Sequence, residues 1–255
     1  MRPFRAAPGL DGPAGILQGG LATAVPTAAA RLADPFGAPL TSVVARLHAP
    51  TPLGADLTIA LRPGGGVAHH EVQLRHGDTL LVSASVELAG RDQPPAIPDL
   101  VELATGPIPE LVLHPTYPDC FVCGPGNTHP HAQRCAMGHV NDEAVVLPWL
   151  VDDALAEPGP TIDPILVSAV LDCPGVWAAT PALTAAGFAG CLLGGMEVRW
   201  YRDAPVYEVL RVAARFDELT GRKIRVRTAL LDEEGQVYAV ASALHIAVNE
   251  VPRLS

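Results

Sequence analysis

One order of segments occurs twice in this chain, and it narrows the possible folds more than any other feature. Residues 16–33 combine helical apolar spacing with an alanine-rich run, which predicts a helix, with Pro26 as a kink or boundary. Strands are expected at about 41–49, 55–62, 67–75 and 79–89. Pro50 and Pro52, Gly64-Gly65-Gly66 and His76-Gly77-Asp78 separate them. The second half repeats the order, with a helix from near Asp172 toward Ala179. Strands then follow at about 191–202, 206–217, 222–232 and 236–248, divided by Pro205, Thr220-Gly221 and Glu234-Gly235. Leu81-Val82-Ser83-Ala84-Ser85 lies opposite Ala239-Val240-Ala241-Ser242-Ala243 at the offset that also separates Gly77 from Gly235. Self-similarity on this scale, though faint, suggests an internal duplication.

The composition says what such a repeat must bury. Of the 255 residues 49% are apolar but only 5% aromatic, so a core rests on Val, Leu, Ile and Ala. Each half offers a helix apolar on several faces and a sheet with one apolar side. Wrapping the sheet around the helix removes both surfaces from water, at roughly 25 cal/mol per Å² of apolar area. Joining the sheets edge to edge would protect their outer strands. The expected fold class is α+β, two antiparallel sheets each wrapping a central helix. The halves are expected at residues 1–90 and 120–255, with a linker at 91–119. Arg91-Asp92-Gln93-Pro94-Pro95-Ala96-Ile97-Pro98 can form neither a central strand nor a long helix. The second half gains a first strand at 143–150, and residues 151–164 read as a loop rich in proline and acid. Residues 1–15 contain Pro3, Pro13 and three glycines and predict no convincing strand.

A formal charge of −10 argues against nucleic acid as a partner. The one basic cluster, Arg222, Lys223, Arg225 and Arg227, is either a solvated strand or a contact for a polyphosphate head group such as that of coenzyme A. No stretch reaches eighteen apolar residues without charge or proline, so no membrane span is expected. No clean signal segment follows the basic N-terminus. Five cysteines, an odd number, fit a reducing cytoplasm better than a secreted disulfide framework.

Three motifs carry a resemblance. Gln18-Gly19-Gly20 begins the first helix, Asp119-Cys120-Phe121-Val122-Cys123-Gly124-Pro125 lies between the halves, and Leu171-Asp172-Cys173-Pro174-Gly175-Val176-Trp177-Ala178-Ala179 spans the second helix. With the duplicated order, they resemble double hotdog thioesterases, in a branch with a Cys-Phe-Val-Cys-Gly segment. The resemblance covers about residues 14–90 and 118–249. It implies hydrolysis of an acyl thioester on coenzyme A or a carrier protein, with the reacting groups at helix starts near the junction of two hotdog units. It also makes a homodimer plausible. The wider superfamily includes dehydratases, hydratases and binding proteins, so a hotdog dehydratase or hydratase and a non-catalytic acyl-binding or structural protein stay open as alternatives.

Thioester hydrolysis needs an activated water and a donor for the carbonyl oxygen. The Gly19–Gly20 backbone at a helix N-terminus could stabilise the oxyanion, and Gln18 could orient water or donate its amide. The plain alternative is a tight strand-to-helix connection. Asp172 stands in an apolar run where a lone carboxylate is costly, so it either orients or deprotonates water or caps its helix. Cys173 reads as a buried thiol rather than a nucleophile. Trp177 is a pocket wall or core filler, Ser168 a secondary polar contact, and Arg222 and Lys223 candidate contacts for the substrate's head group. His48 and His245 fit ordinary strand positions, although His245 interrupts an apolar alternating run. No cofactor is expected. A structural zinc on Cys120, Cys123, Cys135 and His139 is the alternative, because tetrahedral zinc favours such ligands.

Overall fold

The computed structural model describes residues 2–65, 68–151 and 160–254. Gly66 of the expected glycine turn and most of the expected 151–164 loop lie outside them.

The first half contains β1 (Arg2–Phe4), α1 (Gly19–Ala33), β2 (Leu40–Leu47), β3 (Leu57–Pro63), β4 (His69–His76) and β5 (Thr79–Leu88). Then come α2 (Pro98–Thr105), β6 (Leu111–Val112), β7 (Met137–Asn141) and β8 (Ala144–Trp149). The chain ends with α3 (Pro164–Ala185), β9 (Gly190–Trp200), β10 (Leu210–Thr220), β11 (Lys223–Leu231) and β12 (Val237–Val248). The strands form one sheet in the order β1-β3-β4-β5-β2-β9-β12-β11-β10-β8-β7-β6. The halves meet where β2 pairs antiparallel with β9, with Val43 opposite Val198 and Ala45 opposite Met196. These are the first strands after α1 and α3, so equivalent edges of the two halves close on each other and neither stays open.

Two expectations are corrected. A strand does precede the first helix: β1 is short but pairs with β3. The second helix begins at Pro164, not near Asp172. Asp163 caps it by accepting from Ile165 N–H at 2.8 Å, and Pro164 occupies the first helical turn, where a missing N–H costs nothing. The helix then runs through Pro174 and Pro181. Each proline lacks the N–H that would bond four residues back, yet the helix holds because it is buried almost all round. By length and composition α3 could cross a membrane, but here it is the core helix of the C-terminal half.

The segment read as a linker also covers apolar surface. Leu100 and Ala104 of α2 are fully buried against Ala213, Ala229, Leu231 and Val237 of the sheet. Arg227 holds this helix in place, reaching Asp99 Oδ2 and Asp217 Oδ1, each at 2.8 Å. The guanidinium keeps the Asp99 carboxyl below its usual range. A depressed folded-state value means that the pair stabilises fully above the ordinary carboxylate range and fades as pH falls through Asp99's lowered value. On acidification below about pH 4, amide exchange in α2 should therefore rise before exchange in α3. In Asp99→Asn that pH dependence should disappear.

Candidate active site

The two central helices lie against each other, and the glycines at the start of α1 permit it. A Cβ on Gly20 would collide with the backbone carbonyl of Ser168, and one on Gly19 would come within 2.6 Å of Asp172 Oδ2. Asp172 thus stands in the middle of α3 yet serves the N-terminus of α1. Gly20 N–H donates to Asp172 Oδ2 at 2.9 Å. The carboxylate meets the positive end of the α1 dipole, a favourable position for negative charge. The sequence offered capping or chemistry, and the structure makes Asp172 a cap for the other helix.

Gln18 is the N-cap of α1: its Oε1 accepts from Leu21 N–H at 2.8 Å. Its amide Nε2 donates to Asp172 Oδ2 at 2.9 Å and to Ala169 O at 3.2 Å, with Cys173 Sγ at 3.5 Å. Both ends of the amide are therefore engaged. Gln18 positions Asp172 and lines the cavity beside it. Gly20 N–H is likewise occupied. Among the described residues Gly19 N–H has no partner, so it is the free backbone donor of the pair.

The fourth member is His245, whose weight the sequence understated. Its Nε2 lies 2.9 Å from Asp172 Oδ1, and the ring is 1% exposed. Ala241, Ala243, His245 and Ala247 all face inward, so His245 was visible as the one polar residue on the apolar side of β12. A register shift between Leu244 and His245 in the pairing with β9 falls at this point; such irregularities often re-aim a side chain near a site.

Gln18, Gly19, Asp172, His245 and Trp177 all line one cavity of about 210 Å³. Its other walls are mainly apolar, including Ile16, Leu17, Leu47, Val176 and Leu193. Trp177 stacks on His114 with ring centroids 4.1 Å apart, and burial holds His114 below the usual imidazole range, with His139 adding to the effect. Tyr117 closes another side. Its hydroxyl donates to Cys191 O at 2.8 Å and accepts from Cys191 N–H at 2.9 Å, and burial pushes its ionisation up.

Three expected contacts lie elsewhere. Ser168 is buried and donates to Pro164 O at 3.2 Å, away from the cavity. Arg222 and Lys223 are exposed at the start of β11, and Arg222 Nε donates to Ala247 O at 2.8 Å. Their neighbours Arg225 and Arg227 pair with acids of the same surface. Among the described residues no Arg or Lys lines the cavity. The expected Cys120, Cys123, Cys135 and His139 set does not assemble. Among the described residues, the cysteines that converge are Cys120, Cys123 and Cys173; His139 is exposed on β7.

The fold is the double hotdog. A structure named as a candidate thioesterase from Novosphingobium aromaticivorans is similar over 96% of this chain and 94% of its own, with 17% identity and a TM-score of 0.64. The tesB protein of Mycobacterium avium subsp. paratuberculosis is similar over 96% and 91%, with 16% identity and a TM-score of 0.66. A dehydratase domain of a mycocerosic acid synthase-like polyketide synthase is similar over 93% and 84%, with 16% identity and a TM-score of 0.61. No protein-family model matches the sequence, and no curated protein aligns with it significantly.

Proposed function

We propose that this chain hydrolyses acyl thioesters, carried on coenzyme A or on a carrier protein, by direct attack of water. The observation that carries this reading is a fixed carboxylate, Asp172, in the wall of an apolar cavity that Gly19 also lines. An ionised carboxylate has about four lone-pair positions. Gln18, Gly20 and His245 engage both oxygens of Asp172, and the remaining position, on Oδ1, is left for a water. The thioester carbonyl accepts from Gly19 N–H at the α1 terminus, where the backbone field favours the developing oxyanion. Asp172 takes the water proton as the C–O bond forms. The tetrahedral intermediate then expels the thiolate, the C–S bond breaks, and the proton on Asp172 passes to sulfur. Trp177 and the aliphatic walls receive the acyl chain.

The Asp172–His245 contact favours a second reading, acid–base chemistry on a hydroxyacyl or enoyl thioester, because a carboxylate with an imidazole can move a proton at carbon. One assay separates the two. Over a panel of acyl thioesters of increasing chain length, hydrolysis liberates free thiol, whereas a hydratase or dehydratase changes absorbance at the enoyl group and liberates none. Acyl retention with neither change would support the binding protein. All five cysteines are free, which suits a reducing cytoplasm. A homodimer would have Leu111, Val112 and Leu113 available at the exposed β6 edge of the sheet.

A further inference from the structure

The mechanism uses none of the five buried thiols, and three of them stand together. Cys120 and Cys123 come from the segment between the halves and Cys173 from α3, next to Asp172. The turn Cys120-Phe121-Val122-Cys123-Gly124 is closed by Gly124 N–H donating to Cys120 O at 2.8 Å, and Cys120 N–H donates to Tyr117 O at 3.1 Å. Only glycine fits at 124, since a Cβ would collide with the backbone of Cys120 and Pro118. The turn places two sulfurs side by side and aims them at the third. All three Sγ atoms lie within 4.8 Å of one another, with Cys120 and Cys173 at 3.6 Å.

A metal–sulfur bond of about 2.3 Å requires sulfur–sulfur separations of about 3.8 Å around a tetrahedral centre and about 4.0 Å around a trigonal one. The Cys120–Cys173 separation is close to those spacings, and the other two pairs lie within 4.8 Å. The N–H groups of Cys123 and Val122 point at the Cys120 sulfur. Gln18 Nε2 adds a donor 3.5 Å from Cys173 Sγ. Cys135 lies outside the triangle. Cys120, Cys123 and Cys173 all line the cavity.

We propose that Cys120, Cys123 and Cys173 form a three-thiolate site for a soft cation of the zinc class, with the remaining coordination position on the cavity side. Binding releases the three thiol protons to solvent and leaves a position for water or a soft ligand. It also ties the segment between the halves to α3 beside Asp172. The site stands on its own geometry and does not depend on the hydrolytic reading.

The test uses the full chain, purified without chelator. Elemental analysis and titration with Zn²⁺ should give one cation per chain. Co²⁺ should give thiolate-to-metal charge-transfer absorption of the intensity expected for three sulfur ligands. Cys120→Ser, Cys123→Ser and Cys173→Ser should each weaken binding by roughly a hundredfold or more, whereas Cys135→Ser should keep it. If a variant fails to fold, proton release on titrating the native chain at about pH 8 still decides the matter, since thiols free protons there and surface histidines are already neutral. Cobalt spectra without thiolate bands, or binding unaffected by all three substitutions, would overturn the site. So would a disulfide between any two of these cysteines in metal-free protein isolated without reductant.

Discussion

Asp172→Asn should lower thioester turnover by about 10²–10⁴-fold, the usual contribution of a positioned acid or base, while the unfolding midpoint moves little. The substitution separates chemistry from architecture because its polar contacts can all be kept. The asparagine oxygen can replace Oδ2 and accept from Gln18 Nε2 and Gly20 N–H. Its NH₂ then faces His245 Nε2, which can accept if the ring carries its proton on Nδ1, an atom with no partner among the described residues. Only the capacity to take a proton from water is lost. Steady-state kinetics on the best thioester of the panel should show the loss in kcat, with KM nearly unchanged, because Asp172 contributes to the transition state rather than to binding of the acyl chain. Undiminished turnover in a folded variant would remove Asp172 from the reaction.

Gly20→Ala should be strongly destabilising. The added methyl meets backbone, not a side chain that can swing away: it would collide with the Ser168 carbonyl and lie 2.8 Å from Ala169 Cα. Relief requires α1 and α3 to separate, which stretches the Gly20–Asp172 bond and opens the contact between the halves. Overpacking of this kind costs about 3 kcal/mol, a fall in Tm of roughly 6–12 °C for a chain of this size. Gly19→Ala should cost less. Its nearest neighbours are side-chain atoms, the Asp172 carboxylate at 2.6 Å and Leu193 Cβ and Cδ2 at 2.8 and 3.0 Å, of which the Cδ2 end can swing away. Thermal unfolding of the two variants side by side checks the ranking. Equal midpoints would mean that the helices do not need their close approach.

The two glycines that first aligned the halves show how much of the fold was local. Gly77 and Gly235 both turn hairpins, β4–β5 and β11–β12, and both have positive φ, 54° and 85°. That backbone conformation suits glycine, so the sequence marks it at both places. Strand alternation and turn residues likewise placed β2–β5 and β9–β12 within a few residues. The start of α3 was legible too, in Asp163-Pro164, but Asp172 and Pro174 drew the expected boundary eight residues late. Proline inside a helix is normally a stop signal. Burial on nearly every face overrode it.

For the site, the sequence supplied its members but not their roles. Gln18, Gly19, Gly20 and Asp172 stood out because glycine pairs and lone carboxylates in apolar runs are unusual locally. His245 carried a weaker mark, one polar side chain on the inner face of a strand. Cys173 reads as an ordinary buried thiol in the sequence, and Cys135 and His139 group with Cys120 and Cys123 by ligand type and nearness in the chain.

Residue by residue, then, the chain alone fixed what short-range physics fixes: hairpin turns, strand faces, helix content and the need to bury two apolar helices in wrapped sheets. Which donor meets which carboxylate oxygen, which glycine N–H stays free and which third sulfur joins the Cys120–Cys123 turn were decided by tertiary structure. Those contacts join segments more than fifty residues apart, and their geometry depends on how closely α1 and α3 pack, which no local pattern encodes.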